Sequence, residues 1–115
     1  MVVRRVHQDG DNVAVELLAR LNGLAHQQGA ELLAIALPTN GVIGSNGRLP
    51  SVVKRAREKG VKVLDLGAEA LKLEPGQLRR SFLPGGHYVP AMNAWVADHV
   101  ASALRQPARA IGGSE

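Results

Sequence analysis

The chain has no cysteine among its 115 residues, which removes disulfides, thiolate zinc sites and a cysteine nucleophile together. That absence leaves the compartment open, since a cysteine-free protein survives equally well under reducing and oxidising conditions. Aromatic residues are nearly as scarce, with one Phe, one Tyr and one Trp. Leu, Val, Ile and Ala must therefore supply most of the core, and platforms on which nucleic-acid bases could stack are few. No stretch approaches the roughly 20 apolar residues that a spanning helix needs, so no membrane span is expected. Residues 1–6 carry Arg4 and Arg5 with no apolar run behind them, and no secretory signal is read there. Localisation stays undetermined on these grounds.

What is present is ordinary globular composition, 45% apolar and 21% charged. The length suits one core, and the reading is a single α/β domain over residues 1–105, whole or partial, with a flexible tail over 106–115. Fourteen Lys and Arg against ten acids give a formal charge of +4. The cations fall in small scattered groups, Arg4-Arg5, Lys54-Arg55-Arg57-Lys59 and Arg79-Arg80, with acids between them. That distribution is not the continuous basic face a nucleic-acid partner requires, and none is expected.

Along the chain, residues 2–6 read as a strand or an ordered lead-in. Asp9-Gly10-Asp11-Asn12 offers N-cap residues, and Val13, Leu17, Leu18, Leu21, Leu24 and Ala25 then recur at helical spacing, predicting a helix over 12–28 closed by Gly29. Leu32 to Leu37 is a short apolar run before Pro38 and predicts a buried strand. A turn-rich loop follows through Gly47, and Pro50-Ser51 opens a helix that Gly60 ends. Val61 to Leu66 predicts a second strand turning at Gly67, with a short helix around 68–72. Residues 77–87 read as an irregular connection, and Pro90 opens a last helix with Met92, Trp95, Val96, Val100 and Ala103 on one face. This alternation predicts a small three-layer α/β/α fold with parallel strands, with the N-terminal segment the candidate for a third strand.

In an open parallel sheet, ligands sit beyond the C-terminal ends of the strands. His87 follows the second strand, flanked by Gly85, Gly86 and Tyr88, and is the candidate general base. The alternative reading is a loop imidazole that contacts the final helix. Gly41, Gly44 and Gly47 match neither dinucleotide nor P-loop spacing, so they read as a flexible loop. His7, His26, His87 and His99 show no metal-ligand spacing. Neither a metal nor a cofactor is expected.

The segment from Leu17 to Leu104 resembles the C-terminal half of SGNH (GDSL-type) hydrolases and the related polysaccharide O-acetyltransferases. The resemblance is carried by Gly29-Ala-Glu-Leu-Leu-Ala-Ile-Ala-Leu-Pro38, by Glu58-Lys-Gly-Val-Lys-Val-Leu-Asp-Leu66, and above all by the spacing of His87, Pro90 and Asn93. It implies the C-terminal part of a flavodoxin-like fold with His87 as the catalytic histidine. The family's acid lies two or three residues before that histidine, where this chain has Gly85 and Pro84. Asp65 at the end of the second strand is the substitute acid, while Asp98 is expected to face solvent. The family's Gly-Asp-Ser block is absent. Gly10-Asp11-Asn12 reads as a helix cap, and Ser45 as a turn residue outside any nucleophile elbow.

Two functions follow as expectations. One is a fragment of an SGNH-like acyl or acetyl ester hydrolase or O-acetyltransferase, inactive alone for want of a serine. Its substrate would be an acylated or acetylated small molecule or glycan, and its partner a missing N-terminal half. The other is a non-enzymatic α/β interaction module or pseudoenzyme that self-associates as a homo-oligomer.

Overall fold

A computed structural model describes residues 2–39 and 49–106, with side chains from Gly10 onward. The glycine-rich loop that includes Gly41, Gly44, Ser45 and Gly47, and the tail beyond Gln106, lie outside the described residues. The first helix, α1, runs Val2–Gln27. It absorbs residues 2–6, so the N-terminal segment supplies no third strand. It also carries Gly10 and Asn12 in its interior rather than at its start. One interior glycine costs about 1 kcal/mol, and each further helical residue gains a backbone hydrogen bond, so a long helix can run through it. Asn12, freed from capping, accepts a hydrogen bond from Arg55 of the second helix, α2 (Leu49–Glu58).

Both helices end in the same device. Ala30 N–H donates to Ala25 C=O and Gly29 N–H to His26 C=O, at 2.9 and 3.0 Å. Val61 N–H and Gly60 N–H repeat the pattern on Ala56 and Arg57, at 3.1 and 2.9 Å. These are Schellman caps, which need a left-handed residue after the helix, and Gly29 and Gly60 provide it with φ of 74° and 88°. Each cap turns the chain directly into a strand, β1 (Leu33–Ala36) or β2 (Lys62–Asp65). Asn22 secures the arrangement from α1 by donating to Gly60 C=O at 3.3 Å.

The strands pair in parallel, Ala34 beside Val63 and Ala36 beside Asp65. The molecule is therefore a small α/β fold with parallel strands, its sheet two-stranded among the described residues. Strand side chains alternate between faces, and Ala36 and Val63 point into a cluster with Val53, Ala56 and Val61, against which Leu18 of α1 packs. The expected burial of β1 holds for one face only. Ile35 and Leu37 on the other are exposed.

β2 passes without a loop into α3 (Leu66–Ala70), so Gly67 lies in a helical turn rather than at a bend. Leu66 is fully buried. The connection expected to be irregular contains α4 (Pro75–Arg79), and Pro90 opens α5 (Pro90–Arg105) as anticipated. A second cluster joins Ala70, Leu78 and Met92 with Phe82, Tyr88, Val89 and Trp95. On α5, Met92 and Ala103 are buried while Trp95, Val96 and Val100 are half-buried, which is the face the spacing predicts.

Candidate functional site

His87 sits in a short hairpin between α4 and α5. Phe82 and Tyr88 form an antiparallel bridge, Val89 N–H donates to Ser81 C=O at 3.0 Å, and Leu83 N–H donates to His87 C=O at 2.6 Å. The tip closes with Gly86 N–H on Leu83 C=O at 2.9 Å. Proline at the second place and a left-handed glycine at the third are what a type II turn asks for, and Pro84 and Gly85 (φ 89°) occupy those places. Gly86 is left-handed too, at 88°.

Alternation along this strand sends neighbouring side chains opposite ways. Tyr88 turns inward, meeting Phe82 edge to face with ring centroids 5.6 Å apart, and donates its hydroxyl to Pro38 C=O at 2.6 Å. Burial pushes its phenol above the ordinary value. Pro38 lies just past β1, so this bond ties the hairpin to the C-terminal end of the sheet. His87 turns outward and is exposed. Its backbone is fixed by Leu83, while its imidazole is hydrogen-bonded to no described side chain.

Asp65, the expected acid, is engaged elsewhere. Its carboxylate accepts from Ala68 N–H at 2.9 Å and caps α3. Among the described residues, no hydrogen bond or ion pair joins it to His87. Asp98 and Asn93 are exposed on α5, as the solvent-facing reading of Asp98 requires. The described residues thus present a histidine on a hydrogen-bonded hairpin with no carboxylate bonded to it. Among them, no group of three or more His, Asp or Glu side chains could share a metal ion. No described helix is long and apolar enough to cross a membrane.

Two features escaped the sequence reading. One is an open cleft of about 240 Å³ between α4 and α5, whose wall includes Leu73, Ser81, Met92 and Trp95. His87 is not part of it. The other lies on α1. The six apolar residues that recur at helical spacing divide between faces. Leu18 packs inward and Val15 is buried, whereas Val13, Leu17, Leu21 and Leu24 are each between 51% and 56% exposed. The signal was present in the spacing, because Val15, Leu18 and Asn22 form one i, i+3, i+7 series and the four exposed residues form another.

Comparisons of the chain with protein-family models, with curated proteins and with solved structures return no match.

Proposed function

We propose that this chain is the histidine-bearing end of an SGNH-type acyl-transfer domain, catalytically incomplete by itself. The observation that carries the reading is the Tyr88 hydroxyl on Pro38 C=O, which anchors the His87 hairpin at the C-terminal end of the parallel strands, the end at which open α/β sheets take their ligands. The resemblance around His87, Pro90 and Asn93 points the same way. In such a domain His87 would take the proton of a serine hydroxyl as that oxygen attacks an ester carbonyl, then return it to the departing alcohol. The substrate class would be an acylated or acetylated small molecule or glycan. Lacking a serine block, the chain alone should hydrolyse p-nitrophenyl acetate no faster than its His87→Ala variant. Adding a polypeptide that carries a Gly-Asp-Ser block should raise the rate in a His87-dependent way. Labelling of the lone chain by a serine-directed phosphonate, with turnover that His87→Ala abolishes, would defeat the claim of incompleteness.

A second reading, a non-enzymatic interaction module, is favoured by one specific observation. Soluble helices normally turn one apolar stripe inward and a polar face outward, and α1 carries apolar residues on both. Selection of helical peptides from a displayed library tests it. Peptides enriched by the native chain and lost on a Leu17→Lys, Leu21→Lys variant support docking through α1, and equal enrichment on both removes it.

A further inference from the structure

Val13, Leu17, Leu21 and Leu24 lie opposite the face through which α1 meets α2, and half of each side chain is open. At 3.6 residues per turn they form one continuous stripe about three turns long. Its spacing reads almost the same in both directions, four, four and three residues. Such a stripe can meet its own reversed copy with every apolar residue opposed, Val13 facing Leu24 and Leu17 facing Leu21.

The charges bordering the stripe select between the two orientations of a self-pair. Glu16 and Arg20 share one flank, where they form an exposed ion pair at 3.3 Å. The other flank carries Ala14 and Ala25. When two copies run antiparallel, each flank meets the same flank of the other, which brings Glu16 of one copy to Arg20 of the second, twice by symmetry. A parallel pair would set the charged flank against the alanines and leave four charges without cross-partners. We infer that a second copy of this chain packs antiparallel along α1, its two-fold axis passing beside residue 19. The inference rests on the interaction-module reading and names the partner of that surface.

A single contact of about three helical turns is smaller than a standard interface of roughly 800 Å² per partner, so the dimer should be weak and concentration-dependent. The absence of cysteine allows its geometry to be read directly. In the antiparallel pair Val13 lies opposite Leu24, whereas two copies of Val13 stand about 16 Å apart along the axis, eleven residues at 1.5 Å each.

Sedimentation equilibrium on the full chain should show a concentration-dependent dimer. The Leu17→Lys, Leu21→Lys variant should be monomeric with an unchanged circular dichroism spectrum, since both positions are exposed. Val13→Cys and Leu24→Cys chains carrying tags of different size, mixed and oxidised gently, should form the mixed disulfide at least tenfold faster than either like pair. Preferential like pairs would overturn the antiparallel arrangement. A native chain that stays monomeric at millimolar concentration overturns the second-copy proposal. If that monomer still selects helical peptides through Leu17 and Leu21, the docking reading survives, and if it selects none, both fall.

Discussion

Tyr88→Phe removes one oxygen and keeps the ring, so it isolates the bond that anchors the His87 hairpin. The ring contact with Phe82 and the packing against the Ala70, Leu78 and Met92 cluster remain. What is lost is a 2.6 Å donor to Pro38 C=O in a partly buried setting. Breaking such a bond and leaving its acceptor unsatisfied should cost about 1–2 kcal/mol, or a fall in Tm of roughly 5–10 °C for a domain of this size. Urea unfolding followed by Trp95 fluorescence measures the difference. The pH dependence gives an independent arm. Burial raises the Tyr88 pKa in the folded chain above its ordinary 10.0. The native state therefore holds the phenolic proton at a pH where the unfolded state has released it, and stability falls as pH rises. The contribution of Tyr88 is complete below about pH 10 and is lost as pH climbs through the folded-state value, so the native protein and the Tyr88→Phe variant should converge there. A variant as stable as the native chain at pH 8, or a difference unchanged between pH 8 and 11, would refute the reasoning.

Asp65→Ala should cost about 1 kcal/mol through loss of the α3 cap, and His87→Ala less than about 0.5 kcal/mol because the ring is exposed and without a hydrogen bond. In urea melts the double variant should equal the sum of the two, and a coupling well above about 0.5 kcal/mol would join the two side chains in one network after all. Leu66→Ala, emptying a fully buried position where β2 meets α3, should destabilise by about 2–5 kcal/mol, and a loss under 1 kcal/mol would contradict that packing. Glu31 is hydrogen-bonded to Lys62, which holds its carboxyl below the ordinary carboxylate value. Its contribution is thus present above the unfolded-state pKa and lost as pH falls through the folded one. A Glu31→Gln variant should differ from the native chain near neutrality and match it in acid, as thermal melts across that range would record.

Local rules carried much of the fold. Gly29 and Gly60 announced helix ends because only a residue free to go left-handed closes a Schellman cap cheaply, and Pro90 announced a helix start because its missing N–H is not needed there. The start of α1 was illegible for a related reason. Asp9, Gly10, Asp11 and Asn12 are cap-forming types, yet Asn12 finds its partner in Arg55, forty-three residues away, and composition cannot reveal a tertiary bond. The division of the α1 leucines was hidden in the same way, since two interleaved apolar series look like one until something fixes which faces the sheet. At the candidate site, the sequence singled out His87 and the tight glycine turn before it. It could not reveal that Asp65 caps α3, because the same residue type serves equally as a helix cap and as a catalytic acid.

The left-handed backbone at Gly85 bears on what could stand beside His87. A Cβ at that position would lie 3.7 Å from His87 Cδ2, so whatever side chain stood there would rest against the imidazole. Under the proposed SGNH reading, Pro84 and Gly85 hold the two positions at which an orienting acid would stand. Yet an L residue in that backbone conformation is strained by roughly 1–2 kcal/mol. Tightness of the turn and an orienting charge are therefore rival claims on one residue. Glycine at residue 85 keeps the turn tight but offers the ring no orienting charge, and a carboxylate there would require the hairpin to loosen.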